Sequence, residues 1–532
     1  MNADVSNKIP RMLLLPAVFV VFLSLLPIGY LFIRTFGSLS DLIYILFRLQ
    51  VLLIFIKTAL LVVTVCSSSM LIALLSCWLV TRTDIKFKAI WSGMLPMPLV
   101  VPSYVGAFII IIVLGPKGML QKALEPFGIL SLPDIYGFKG AWLTLTFLCY
   151  PYIFLTLKSA MENIDPALQE IAQSSGYSYW KYFFKIELPL LRPAITSGSI
   201  LVILYTLSDF GAVSLLRYQT FTWSIYLQYQ AAFDRTLAAG LSLILALIVI
   251  LILYFESKMR KDGYYYRTNA RASTSRSLFQ LNKWQIPACI VLGSILLIGL
   301  IIPLFFLMYL AFQGVVTDQI PKNLLSLSIN SVMVSVITAI AAFGAGSSIA
   351  LITAKYKSRV AVLLENTSYI GFGIPGIVIA LSLVFFGANY ANILYQTIPF
   401  LIFGYTIMFM PALIGAFKSS LLTLNPRIEE SAKILGESEI GTFRRILLPI
   451  TSPGIYYGMS LVFLLTIKEL PVTLILGPLD FGTLATALWN ASEEAFFLEA
   501  AISGVVIIVI SIIPIFGLNK LTNERSLWVH YK

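Results

Sequence analysis

Charge is scarce in this chain: 12% of its 532 residues are Asp, Glu, Lys or Arg, and His530 is its only histidine. Soluble globular domains carry about 25% charged residues, so the scarcity excludes a soluble enzyme. The four cysteines, Cys66, Cys77, Cys149 and Cys289, lie inside hydrophobic runs. They lack the paired spacing of a zinc site or a secreted disulfide framework, and read as core thiols. No stretch has Gly, four residues and Gly-Lys-Ser/Thr, the loop whose amides cradle nucleotide phosphates, so the chain is not expected to hydrolyse ATP by itself. Catalytic clusters of His, Asp or Glu are also lacking, and a histidine in the tail suggests neither a metal site nor a general base.

What is present is apolar: 58% of residues are hydrophobic and the mean hydropathy is +0.90. The apolar residues fall in runs of about 20 or more, each long enough to cross a bilayer core of about 30 Å. Spans are predicted near 12–33, 57–81, 90–114, 139–158, 193–216 and 236–256, then 285–312, 327–354, 360–388, 393–417, 453–476 and 497–518. The fold class is therefore an all-α polytopic membrane protein of about 12 helices. The run Met12 to Phe32 follows Lys8 and Arg11 and ends without a small-residue cleavage site, which reads as an uncleaved first span.

The formal charge of +12 would raise nucleic acid as a partner for a soluble protein. Here the cations sit in short loops, where the positive-inside rule accounts for them. The linker 257–283 has seven Lys and Arg against Asp262 alone, so it is expected in the cytoplasm with both termini. Arg82, Lys86 and Lys88, and later Lys355, Lys357 and Arg359, fall in expected inner loops; the expected outer loop 115–137 has two Lys and two acids. Leu42 to Phe55 and Phe221 to Phe233 are shorter, interrupted stretches that read as interfacial helices. The linker, with Tyr264 to Tyr266, shows no fold signal.

An internal repeat organises the whole. Residues 151–195 match 411–455 without gaps at an offset of 260, with 14 of 45 positions identical. Lys158, Ser159, Pro166, Glu170, Ala172, Gly176, Ser178, Phe183, Ile186, Leu188, Pro189 and Pro193 recur as Lys418, Ser419, Pro426, Glu430, Ala432, Gly436, Ser438, Phe443, Ile446, Leu448, Pro449 and Pro453. Asp165-Pro166 and Asn425-Pro426 each supply a polar N-cap and a first-turn proline. Gly176 and Gly436 suit a left-handed helix stop, and Ser178 and Ser438 can cap a second short helix ending before Leu188-Pro189 or Leu448-Pro449. Each half thus has a helix, turn and helix on the expected cytoplasmic side. The divisions follow: 1–256 as one unit with its elbow at 160–190, the linker 257–283, and 284–532 as a second unit with its elbow at 420–450.

The pattern Glu, one residue, Ala, three residues, Gly, nine residues, Ile, one residue, Leu-Pro resembles the EAA loop of ABC importer permeases, and both copies fit it. Ile171 and Ser431 stand where that loop has alanine. Ser208 to Val213, Lys468 to Leu474 and Thr483 to Thr486 resemble segments of the fused ferric-iron permeases. The resemblance implies two tandem six-helix type I importer units in the bacterial inner membrane. It also implies two copies of an ATPase subunit, carrying ATP and Mg, that seat Glu170, Ala172, Gly176, Pro189, Glu430, Ala432, Gly436 and Pro449. A soluble substrate-binding protein is implied on the outer side, with no cofactor on this chain.

Ionisable groups inside spans are functional hypotheses by default. Asp209 and Glu469 are related by the same offset, as are Thr206 and Thr466. Sixteen residues of helix from Pro193 put Asp209 about 24 Å along, so both acids are expected towards the outer ends of their spans. They either attract a passing cation such as ferric iron or are hydrated interfacial carboxylates, with Arg217 a partner for Asp209. Lys468 is expected about 100° round the helix from Glu469. Pro102 and Pro375 mark either broken helices lining the path or simple kinks. Glu365 reads as snorkelling. Permeases for thiamine or another small solute, and an ion-coupled secondary transporter, are the competing readings.

Overall fold

A computed structural model describes residues 9–36, 48–231, 236–261, 278–356, 358–425 and 427–529. They are helical throughout, and their only β pairing is one isolated bridge between Thr83 and Phe279. The first half contains α1 (Arg11–Phe36), α2 (Leu49–Arg82), α3 (Lys88–Met94), α4 (Ser103–Leu114), α5 (Met119–Leu124) and α6 (Phe138–Asn163). It continues with α7 (Pro166–Ser174), α8 (Tyr179–Tyr182), α9 (Arg192–Ser208), α10 (Gly211–Leu215), α11 (Phe221–Ala231) and α12 (Thr236–Lys261). The second half contains α13 (Gln285–Leu296), α14 (Ile302–Val316), α15 (Leu324–Lys355), α16 (Arg359–Gly373), α17 (Gly376–Tyr390) and α18 (Ile398–Leu422). It ends with α19 (Arg427–Ile434), α20 (Glu439–Thr442), α21 (Leu448–Ile467), α22 (Pro471–Leu476), α23 (Leu484–Glu493) and α24 (Phe497–Val529). Ten described helices are long and apolar enough to cross a membrane, or twelve if two bent pairs are each one span.

The residues fall into two compact units. One is built on α2, α6 and α9, which pack pairwise, with α4 on α6, α10 on α4 and α11 on α2. The other repeats this triangle with α15, α18 and α21, and sets α17 against α22. A glycine sits at the same crossing in each. A Cβ on Gly198 of α9 would lie 2.8 Å from Ile153 Cα of α6, and one on Gly458 of α21 would lie 3.1 Å from Leu413 Cα of α18. At Gly198 only a residue without a side chain lets the backbones approach so closely, and at Gly458 a side chain would push its neighbours by a few tenths of an ångström.

The units do not follow the division into 1–256 and 284–532. Helix α1 packs on α15, α16 and α17, and α13 packs on α2, so each half gives its first helix to the other half's unit. Helix α12 is divided between the units at Ala246 and Leu247.

Other expectations change in detail. Residues 42–47 of the first interfacial stretch lie outside the described residues, and the rest is the first two turns of α2, a 34-residue helix. The second is α11, but Phe221, Thr222, Ser224, Ile225 and Tyr226 are buried; its apolar face meets protein. The span expected at 90–114 is broken, since Pro96, Pro98 and Pro102 each remove an amide donor within seven residues. Glu365 does not merely reach for the interface: its Oε1 accepts from Lys418 Nζ at 2.5 Å. His530 and residues 262–277 of the linker lie outside the described residues.

Candidate functional site

The elbows form as their caps dictate. Asp165 Oδ1 accepts from Ala167 N at 2.9 Å, and Asn425 Oδ1 accepts from Arg427 N at 3.1 Å. Helix α7 stops at a left-handed glycine, Gly176, with φ +79°. Tyr177 N and Gly176 N then donate to Ala172 O and Gln173 O, closing carbonyls that the helix end would otherwise leave open. Gly436, at φ +81°, does the same for α19, where Glu437 N donates to Ala432 O. Ser178 Oγ accepts from Lys181 N and Ser438 Oγ from Gly441 N.

The second short helix does not end before Leu188-Pro189 or Leu448-Pro449. A π turn, Phe183–Glu187 or Phe443–Leu447, carries it past the proline, straight into α21 in the second unit but only as far as Leu190, just short of α9, in the first. Pro189 and Pro449 cannot donate to a carbonyl one turn back, and the wider turn absorbs the missing bond. The first elbow and α9 bend by 61°. Ala172 and Ala432 are buried, Glu170, Gly176, Gly436 and Pro449 are exposed, and Pro189 is half-buried; the Glu430 side chain lies outside the described residues. The outward faces differ: the first presents Trp180 and Phe184, the second Ile440 and Arg444 at the matching positions.

Asp209 and Glu469 lie at helix breaks rather than on helices, because α9 ends at Ser208 and α21 at Ile467. Lys468 therefore shares no continuous helix with Glu469. Asp209 is buried, and its Oδ1 accepts from Ala212 N at 3.0 Å and Val213 N at 3.3 Å while its carbonyl accepts from the Thr222 hydroxyl at 2.6 Å. Glu469 Oε1 accepts from Val472 N at 3.3 Å and its carbonyl from the Thr473 hydroxyl at 3.0 Å. Each carboxylate thus caps the short helix beyond the break. Arg217 stands over the Tyr136 ring instead of pairing with Asp209. Thr206 and Thr466 bond back to Val202 O and Val462 O one turn earlier.

Pro102 and Pro375 are full breaks, not kinks: α4 and α17 start directly after them, and α16 and α17 meet at 99°. In each unit the two breaks meet. A Cβ on Gly211 would lie 3.3 Å from Ser103 Oγ, and one on Gly376 would lie 2.7 Å from Glu469 Oε1. Asp209 is thereby brought to the Pro102 break and Glu469 to the Pro375 break. The repeat offset does not show this, since the two prolines are 273 residues apart and the two acids 260. Beside Thr466, a cavity of about 10 Å³ is lined by Ser331, Ser335, Tyr405 and Thr483, and Tyr405 and Thr473 share a hydrogen bond. Sequence reading missed Ser331, Ser335 and Tyr405, which have leucines at the repeat offset and so nothing to draw attention to them. Among the described residues, no three His, Cys, Asp or Glu side chains form a metal-holding group.

Comparison with known proteins places both elbows and both breaks in one family. The profile of the family described as the binding-protein-dependent transport system inner membrane component matches residues 72–257 and 342–526. An Fe(3+)-transport system permease protein of Haemophilus influenzae is 30% identical over 501 residues, covering 93% of this chain and 95% of that protein. A molybdenum transport system permease protein of the same species is 31% identical over 208 residues, covering 37% of this chain and 90% of that protein. A ferric transport system permease protein of Actinobacillus pleuropneumoniae is 22% identical over 438 residues, covering 78% of this chain and 63% of that protein.

Proposed function

Because this chain belongs to the family of inner membrane components of binding-protein-dependent transport systems, we propose that it is the fused permease of an ATP-driven importer of ferric iron. The observation that carries the cargo is coverage: the Fe(3+)-transport relative is matched over 93% of the chain, whereas the molybdenum relative is matched over 37%. The duplicated elbows support the energy source. They offer two helix-turn-helix surfaces of the same design, as a pair of ATPase subunits binding ATP and Mg would need.

In this reading the elbows, the linker and both termini face the cytoplasm, and a soluble binding protein delivers iron to the opposite face. ATP binding draws the ATPase subunits together, the elbows move with them, and the path opens alternately to either side. The meeting breaks line that path, with Asp209 at Pro102 and Glu469 at Pro375. Because Asp209 Oδ1 is committed to the amides of α10, the carboxylate acts on a passing cation by attraction rather than by tight ligation. Weak sites suit a path that must release its cargo.

The test is uptake of radiolabelled ferric iron into liposomes that hold the chain, its ATPase and its binding protein, with molybdate and thiamine in parallel. Iron uptake that needs all three components and ATP is the expected result. ATP-dependent uptake of molybdate or thiamine alone would discard iron, and uptake driven by an ion gradient without the ATPase would discard the importer reading.

A further inference from the structure

The two elbows are fastened by different ion pairs. Arg82 is the last residue of α2 and Glu187 the last of the first π turn; they are 4% and 0% exposed. Arg82 Nε donates to Glu187 Oε1 at 2.5 Å and its Nη2 to Met161 O at 2.8 Å. One guanidinium therefore joins the end of α2, the last turn of α6 and the exit of the elbow. In the second unit the residue matching Glu187 is Leu447, which is also buried. There the elbow is held at its entry instead, by Lys355 at the end of α15 and Glu429 in α19, 2.7 Å apart with side chains 30% and 28% exposed.

Stability alone does not explain the buried pair. Taking both charges out of water offsets most of their attraction, and a well-packed apolar pair serves as well. Leu447 occupies the matching place in the second copy as such a residue. Arg82 Nη1 and Glu187 Oε2, moreover, are buried with no hydrogen-bond partner among the described residues, a cost that apolar side chains would avoid. What the ion pair adds is a fixed point. Apolar surfaces slide over one another, whereas a charge-assisted bond sets distance and direction.

The pair is also shielded. Phe279 N donates to Arg82 O at 2.9 Å, Asp84 N to Phe279 O at 3.2 Å, and Leu281 N to Asp84 Oδ1 at 2.8 Å. The Phe279 ring lies 5.7 Å from that of Trp78, 5.0 Å from Tyr179 and 6.2 Å from Trp180. The end of the linker thus straps the first elbow to α2 and keeps the bond in a setting of low screening, while the half-buried Lys355–Glu429 pair is more open to solvent and salt.

We infer that Arg82 and Glu187 are a positioning pair that passes the movement of the first elbow into α2 and α6, an inference that rests on the reading of the elbows as ATPase contacts. The first elbow is the rigid lever and the second the compliant one.

The test uses the chain reconstituted with its ATPase and binding protein, reading iron taken up per ATP hydrolysed and the ATPase retained on the tagged chain. Arg82→Met/Glu187→Leu is expected to retain the ATPase but to move at least about threefold less iron per ATP, in the range of coupling losses from residues that touch no ligand. Arg82→Lys keeps a charge opposite Glu187 but not the fork that also reaches Met161 O, and is expected to lie between the double variant and the unaltered chain. An apolar double variant with an unchanged ratio would overturn the inference, as would an Arg82→Lys ratio as low as that of the double variant. Should the double variant fail to fold, Glu187→Gln takes its place with the same two outcomes. No ATP-dependent uptake by the unaltered complex would overturn the transport reading itself.

Discussion

A carboxylate that caps a helix and carries charge has two separable jobs, and Asp209 allows them to be separated. Asparagine caps as well as aspartate, whereas alanine does not, at a cost of about 1 kcal/mol. Asp209→Ala is expected to lower the midpoint of thermal unfolding in detergent, and Asp209→Asn to leave it in place while iron uptake falls. Unchanged uptake by Asp209→Asn would leave Asp209 as a cap alone. Glu469→Gln is expected to behave like Asp209→Asn. Both acids were found through the repeat offset, but their places at helix ends were only half legible. Leu470 precedes Pro471, and a residue before proline is steered away from helix; the matching Phe210-Gly211 gives no such signal. The Glu365–Lys418 bond was hidden because it joins residues 53 apart on separate helices.

At the scale of elements, the prolines and glycines set the shape. Gly176 and Gly436 hold positive φ, where a side chain costs roughly 1 to 2 kcal/mol. Gly176→Ala with Gly436→Ala is expected to reduce the ATPase recovered with the purified chain and to lower ATP-dependent uptake with it. Intact recovery and uptake would show that the elbows do not couple the two proteins. Gly198 and Gly458 act through space rather than through φ. Gly198→Val should overpack the crossing of α9 on α6 and cost about 1 to 3 kcal/mol, seen as a lower unfolding midpoint and poorer yield in the membrane. A midpoint equal to that of the unaltered chain would mean that the crossing has slack. The elbows were legible because caps and stops act within a few residues of chain. Their continuation past Pro189 and Pro449 was not, because a proline reads as a stop unless a π turn relieves it.

On the scale of the whole molecule, each half gives its first helix to the other half's compact unit, which makes the fused halves interdependent. Residues 1–261 and 278–532 expressed apart should each be degraded or aggregate, and should be recovered as a tagged pair only when made together. A half that folds and stays soluble in detergent by itself would show that the exchanged helix is dispensable. Fusion in one chain secures the pairing by keeping the effective concentration of the halves high.

Several features followed from the sequence by itself: the spans, the duplication and the two capped elbows. The bilayer forces every spanning segment to satisfy its own backbone within a helix, and caps are decided by immediate neighbours. Only the tertiary structure decided which helices exchange units, that the Pro102 and Pro375 breaks meet the carboxylates, and that Arg82 reaches Glu187 while the second copy has Leu447. These depend on contacts between residues far apart in the chain, and the two halves solve them with different residues at unequal offsets, so no local pattern records them.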